Sequence, residues 1–404
     1  MSAGTFASRL LGVVREMALF ALFPVSITDA WSTAWRLPNL FRRLLGEGSL
    51  SVSFLPVYVR TRVEDPTGLK SRELLDAFWT LLLLVLAVLT CLGTIFVPQV
   101  LELLLQDQFQ ANTDKMQLTI IFGRIMFSFI FLVSVYAFWM AVLNALGHFA
   151  WAAMAPMFFN LAMIVSTLLP QDLLAVPGKT LAWGVLAGGI LQAGVLIPQL
   201  LKKGVFPRLS LHFRQPEIWR VLKSMGPGLL GMGLLQFATL LNLYFASALA
   251  EGSVSYIYLA DRLLELPLSL VSVSLGTALL PTLSKFWAQK RLSDFSHTLR
   301  KTLFLNWFLA LPAALGLLIL SEPIIEVLFR WGKFGAASAQ ATSHVLQIYS
   351  LTLLASSSVR VFVPAFYTVH NTCWPALLSG FSIAVHSLFA PWWMRFFSES
   401  QVLG

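Results

Sequence analysis

Apolar residues run along this chain in long unbroken stretches, and polar residues gather between them. A helix needs about 20 apolar residues to cross the hydrocarbon core of a bilayer. That window predicts eleven spans, near 5–25, 29–58, 75–97, 116–146, 150–169, 179–201, 224–249, 253–284, 303–321, 341–369 and 373–394. Strands are not expected. The runs are continuous rather than alternating, and an open sheet cannot leave its edges in lipid. Glu64-Asp65-Pro66-Thr67-Gly68, Gln171-Asp172 with Pro177-Gly178, and Lys202-Lys203-Gly204 punctuate the pattern. The second, fourth, eighth and tenth spans exceed the minimum length, which implies tilt, kinking or extension into water. Pro38, Pro56, Pro267, Pro281 and Pro364 are the natural kink points.

Composition agrees with this reading and narrows it. Of 404 residues, 57% are hydrophobic and only 12% are charged, and the mean hydropathy is +0.76. A soluble domain is nearer 45–50% apolar and about 25% charged. Soluble enzymes, disordered chains and fibres are therefore excluded, and the expected class is an all-α polytopic membrane protein. Cys91 and Cys373 lie far apart in apolar runs, as buried bystanders rather than a disulfide framework or metal motif. No cleavable signal peptide is expected, because Arg9, Arg15 and Glu16 interrupt the first apolar stretch.

The net charge of +9 sharpens the topology. The loops around 59–75, 202–223 and 285–301 follow spans two, six and eight, so they share one side, and together they hold fifteen Lys and Arg. The opposite loops hold Lys115, Lys179, Arg330 and Lys333. Basic loops face the cytoplasm, so the N-terminus is expected inside. Topology explains these loops better than nucleic-acid binding does.

A weak repeat accompanies the spans. Ala34-Trp35-Arg36-Leu37 precedes Leu55-Pro56, and Ala260-Asp261-Arg262-Leu263 precedes Leu280-Pro281, at offsets of 226 and 225 residues. Duplication predicts two pseudo-symmetric helical bundles around a central cavity, a recurrent transporter plan. The expected division is 1–203 as an N-lobe of six spans, 204–223 as a cytoplasmic basic linker, and 224–404 as a C-lobe of five.

Eight basic residues fall inside spans: Arg9, Arg15, Arg36, Arg42, Arg43, Arg124, Arg262 and Arg360. An intramembrane charge normally faces a wet cavity or a partner. Arg9 and Arg15 either pair with Glu16 or Glu47 or face the cavity. Arg42 and Arg43 either snorkel from a helix end or face the cavity. Arg262 either pairs with Asp261 or Glu265 or faces the cavity. Arg124 and Arg360 read as pairing or snorkelling residues. A cationic cavity suits an anionic, phosphate-bearing substrate, because guanidinium binds phosphate bidentately and keeps its charge. Gly46, Gly48 and Ser49 around Glu47 break the second span, as a close-packing site or a hinge.

Ser8-Arg9-Leu10-Leu11-Gly12-Val13-Val14-Arg15-Glu16 resembles the first-helix signature of the MurJ (MviN) lipid II flippases of the MOP exporter superfamily. Thr28-Asp29-Ala30, Arg36-Leu37-Pro38-Asn39-Leu40-Phe41-Arg42-Arg43 and Glu47-Gly48 resemble that family's second-helix signature, and so does Gly252-Ser253-Val254-Ser255 with Asp261-Arg262-Leu263. The resemblance implies a flippase that moves lipid II, a polyprenyl-pyrophosphate-linked disaccharide-pentapeptide, to the outer leaflet of the bacterial inner membrane. It implies that Arg9, Arg15, Arg42 and Arg262 bind substrate, and that Ser8, Asp29, Asn39 and Glu47 support the cavity. Arg36 stands where the family often has Lys, and Glu16 where it usually has Asp. The family usually has fourteen spans, so the chain is expected to be C-terminally truncated relative to that form.

No cofactor or metal is expected. Transport would be coupled to the membrane potential or to a monovalent cation. Expected partners are lipid II, membrane lipids and cell-wall synthesis proteins, with no nucleic acid. The alternatives are a flippase for another polyprenyl-linked glycan, a MATE-like antiporter and a non-transporting truncated form. An antiporter would favour intramembrane carboxylates over arginines. A membrane enzyme acting on polyprenyl phosphates would need an acidic metal-binding cluster or a His-based nucleophile; the six histidines are scattered singly, and no Asp-rich cluster or HExxH appears.

Overall fold

The computed structural model describes residues 2–44, 50–65, 67–170, 173–269, 274–369, 371 and 373–399. Side chains are described there except at 2–6, 50–52, 227–232, 234–235, 274, 277–278 and 395–399. Glu47 and its glycines lie outside the described residues. Within them the chain forms α1 Ser2–Leu22, α2 Val25–Phe41, α3 Leu50–Glu64, α4 Leu69–Leu104, α5 Asp107–Gln110, α6 Thr113–Phe127, α7 Phe129–Ala145 and α8 Ala150–Leu168. It continues as α9 Lys179–Gly194, α10 Ile197–Lys202, α11 Pro216–Ala246, α12 Ser253–Pro267, α13 Ser274–Ala288, α14 Leu292–Phe329, α15 Ala336–Thr368 and α16 Cys373–Glu399.

Within the described residues, every expected span is built of helix. Among the described residues, seven stretches are long and apolar enough to cross a membrane by length and composition alone: α4, α6–α7, α8, α9–α10, α14, α15 and α16. The other four expected spans, at α1, α2–α3, α11 and α12–α13, are the charged, broken or partly described ones. Several helices outrun the hydrocarbon core. The 36 residues of α4 reach about 54 Å at 1.5 Å per residue.

The chain divides into two compact units, Met1–Glu251 and Gly252–Gly404. The boundary falls after α11 rather than within 204–223, because α11 packs on α3, α4 and α2 of the first unit. Nor is 204–223 a free linker: residues 204–215 are pinned along α4, and 216–223 form the first turns of α11.

Aromatic rings hold α3, α4 and α7 together. Phe54 packs at 5.0 Å on Phe78 and at 4.9 Å on Phe138, and Trp79 stacks at 5.6 Å on Phe138. Small residues let α9 approach α8, where a Cβ on Gly188 would stand 2.7 Å from the Phe159 ring. In the second unit α15 packs along α14, and the buried Asn306 donates to Ser357 Oγ at 2.9 Å across that seam. Each unit carries its repeated motif on a helix whose end widens into π-type turns, at 42–44 and at 268–269. A second helix with an internal proline follows each, Pro56 in α3 and Pro281 in α13. Cys91 and Cys373 are exposed on apolar helices rather than buried.

In the second unit α13 packs closely on α15. A Cβ at Gly276 would sit 2.4 Å from the Arg360 carbonyl oxygen. Overpacking of this kind costs about 1–3 kcal/mol. Gly276→Ala is therefore expected to lower the melting temperature of the detergent-purified protein. An unchanged melting temperature would contradict so tight a contact.

Candidate functional site

α1 supplies Ser8, Arg9, Arg15 and Glu16. Ser8 and Arg15 are seven residues apart, which puts them on one face of a helix. That face packs on α8, and the side chain that enters between them is Asn160. Asn160 Nδ2 donates to the Ser8 carbonyl at 2.8 Å, while its Oδ1 accepts from Arg15 Nη1 at 2.9 Å. Arg15 Nη2 also donates to Glu16 Oε1, forming a buried ion pair. Pairing of Arg15 with Glu16 is thus one of the two expected readings of this arginine. The buried Arg15 Nε makes no hydrogen bond among the described residues. Ser8 and Arg9 are half-buried.

An aromatic shelf supports the guanidinium. Arg15 Cζ lies 5.8 Å from the Phe159 ring centre. Phe159 stacks on Trp35 at 6.0 Å, and Trp35 stacks on Trp31 at 5.7 Å. Cation–π contact of this kind holds a cation with little loss of its charge.

α2 is buried around almost its whole circumference from Ile27 to Pro38. Asp29, Ser32, Thr33 and Arg36 share one side of it at helical spacing. Asp29 accepts from Lys115 Nζ at 3.2 Å, and the two side chains are only 2% and 7% exposed. Lys115 Nζ also lies 4.1 Å from the centre of the Phe109 ring. Lys115 is therefore no loop charge: it sits in the first turn of α6, whose Asn112 side chain caps the Lys115 amide at 3.1 Å. At the other end of α2, Arg42 Nε donates to Asn39 Oδ1 at 3.0 Å, and Arg42 and Arg43 are both half-buried.

Arg262 belongs to the second unit. It donates to Glu265 Oε2 at 3.1 Å and lies over Tyr258 at 4.9 Å. Its side chain is 25% exposed and that of Glu265 is 40% exposed, so this pair is much wetter than Arg15–Glu16. Asp261, Arg124 and Arg360 are exposed.

The structure thus joins Ser8 to Arg15 and Asn39 to Arg42, gives Asp29 to Lys115, and leaves Arg262 with a partner on its own helix. Sequence reasoning missed Asn160 and Lys115. Asn160 carried a usable signal, as a lone carboxamide in the middle of the apolar α8. Lys115 carried none, because its position just ahead of an apolar run is also that of a loop residue.

A family model described as lipid II flippase MurJ matches residues 20–404. The probable lipid II flippase MurJ of Bdellovibrio bacteriovorus is 53% identical over 395 residues, covering 98% of this chain and 76% of its own length. The lipid II flippase MurJ of Burkholderia cenocepacia is 33% identical over 384 residues, covering 94% of this chain and 74% of its own. A solved structure of lipid II flippase MurJ in an inward closed conformation superposes with a TM-score of 0.78 at 25% identity, over 94% of this chain and 77% of that one. An inward-facing multidrug MATE transporter of the MOP superfamily superposes at 0.70 over 98% of this chain and 96% of that one; at 14% identity it shares the fold alone.

The Asp29–Lys115 pair yields a test of stability. Breaking a buried pair on one side leaves an uncompensated charge and costs about 3–5 kcal/mol, whereas replacing both partners by neutral groups is often tolerated. Lys115→Met is expected to lower the thermal stability of the purified protein sharply. Lys115→Met combined with Asp29→Asn is expected to recover most of it. Equal loss in the single and double variants would refute this account of the pair.

Proposed function

The chain belongs to the MurJ family of lipid II flippases, and we propose that it carries lipid II from the inner to the outer leaflet of the bacterial inner membrane by alternating access. The reading that the site residues favour is a cationic cavity in which Arg9, Arg15, Arg42 and Arg262 hold the pyrophosphate, with Ser8, Asp29, Asn39 and Glu47 in support. The N-terminus would be cytoplasmic, as the basic loops predict.

The observation that carries this reading is Arg15. A guanidinium buried in an apolar bundle is costly unless compensated. Here Glu16 compensates it from the same helix and Asn160 orients it from another. Both are partners that an arriving pyrophosphate can replace, since its oxygens offer the same charge-assisted hydrogen bonds in bidentate form. When the cavity opens outward, Glu16 competes for the guanidinium and assists release. The site then never leaves a bare charge in the membrane, whether loaded or empty.

The driving force in this account is the membrane potential or a monovalent cation gradient. The interior of the cell is negative, so outward movement of an anion runs downhill, by about 2.3 kcal/mol per charge per 100 mV. Cell-wall synthesis proteins would take up the product on the outer side.

The test uses cells depleted of their own flippase and supplied with this protein. Externally accessible lipid II is the readout, at matched protein levels. Arg15→Ala is expected to cut it by about tenfold or more, the cost of losing one charge-assisted contact, and Arg15→Lys to retain part. Undiminished translocation by Arg15→Ala would overturn the assignment.

A further inference from the structure

The segment between α10 and α11 is held along the first turns of α4 by three successive anchors. Arg72 donates to the carbonyls of Gly204 at 2.9 Å and Phe206 at 2.7 Å. One turn further along α4, Asp76 accepts from the Arg208 amide at 2.8 Å, and a turn beyond that Thr80 Oγ1 accepts from the Ser210 amide at 2.8 Å. Gln215 then returns to Glu73 at 3.2 Å, so the strap descends α4 by about 12 Å at 1.5 Å per residue, turns and climbs back. The Phe206 ring against Trp139, at 5.7 Å, fixes its inner side.

The tip of the strap is Leu209-Ser210-Leu211. Both leucines point outward and are 74% and 76% exposed. They stand level with Thr80, one turn before the exposed apolar run of α4 begins at Leu84 and Val85. α4 is long and apolar enough to cross a membrane; with that run facing lipid, the leucines fall where headgroups meet acyl chains. Trp219, 59% exposed in the first turns of α11, has the character of an interfacial anchor.

Charge follows the same geometry. Exposed Lys202 and Lys203 lead into the strap, and exposed Arg208 and Arg214 flank its tip. The carboxylates at this end of the first unit are already engaged. Glu64 pairs with Arg60, Asp76 with Arg72, and Glu217 with Arg220, while Glu73 accepts from Gln215. Asp65 is satisfied by its own loop, through the Thr67 hydroxyl and the Lys70 amide, which hold its carboxyl below the usual carboxylate range. None of Lys202, Lys203, Arg208 and Arg214 enters an ion pair among the described residues.

We propose that residues 202–214 form an interfacial anchor that binds anionic phospholipids, with Leu209 and Leu211 in the acyl boundary and Lys202, Lys203, Arg208 and Arg214 on the headgroup phosphates. The occupant is the bulk anionic lipid of the cytoplasmic leaflet, which is the leaflet that the basic loops predict for this end. Pinning of the strap backbone means that little order is lost when lipid binds. Fifteen loop cations set topology, and four of them acquire a ligand on this reading.

The experiment is lipid titration of the delipidated full chain in detergent, read by native mass spectrometry. It depends neither on transport nor on the direction of insertion, so failure of the flippase reading would leave it interpretable. Phosphatidylglycerol is compared with phosphatidylcholine of the same chains. Each Lys or Arg near an anionic surface contributes a factor of about five. Phosphatidylglycerol is thus expected to bind at least about five-fold tighter, with the preference shrinking as salt rises. Replacing all four cations by Gln is expected to abolish the preference. Leu209→Ser with Leu211→Ser is expected to weaken both lipids while keeping it. Should the fourfold variant misfold, Arg208→Gln with Arg214→Gln is expected to reduce the preference, and the salt dependence of the unaltered protein is decisive. Equal binding of the two lipids, or a preference that survives the fourfold variant, overturns the proposal. So does selectivity for lipid II alone that is lost in that variant, which would make the segment a substrate-loading site.

Discussion

A cation inside an apolar bundle has to be compensated, and much of the first unit is arranged around that constraint. The unfavourable insertion of an arginine amounts to about 2.5–3.5 kcal/mol on translocon scales. Arg15 meets it with Glu16 one residue away and with Asn160 from α8. Lys115 meets it with Asp29 from α2 and the face of Phe109. These two arrangements tie α1 to α8 and α2 to α6, so charge compensation also fixes which helices are neighbours. Where the end of the unit reaches water, the compensation loosens and Arg208 and Arg214 stand exposed.

The same constraint suggests how such a site carries cargo. On the proposed reading, the carboxylate that pairs with Arg15 stands in for a phosphate group. Exchange between the two keeps the guanidinium satisfied throughout, which keeps both binding and release within reach of a membrane potential. Arg262 differs in degree: its partner Glu265 is on the next turn and partly wet, so its pairing is weaker. Arg15 is thus the deeply buried arginine of the first unit, and Arg262 in the second stands nearer to water.

The helices were legible from apolar run length alone, because hydrocarbon imposes one length and one backbone solution on every span. Within the described residues every expected span is built of helix, although α4 and α14 extend well beyond the stretches that run length marks. Local pairs were legible too. Arg15–Glu16 and Arg262–Glu265 stood among the open readings because both partners lie within a turn. Contacts between distant segments were not. Lys115 is separated from Asp29 by 86 residues and Asn160 from Arg15 by 145, and no spacing rule reaches so far. The basic strap was read as a linker because charge counting reports a side of the membrane, not the hydrogen bonds from Arg72, Asp76 and Thr80 that give the segment its path.

The central claim is that Glu16 and the substrate compete for Arg15. The most direct measurement is the affinity of the purified protein for lipid II with Glu16 intact and with Glu16→Gln. Removing the competitor's charge while keeping its shape is expected to tighten binding by about tenfold, the equivalent of 1.4 kcal/mol. Unchanged or weaker binding by the Gln variant, at a temperature where both proteins are folded, would contradict the competition.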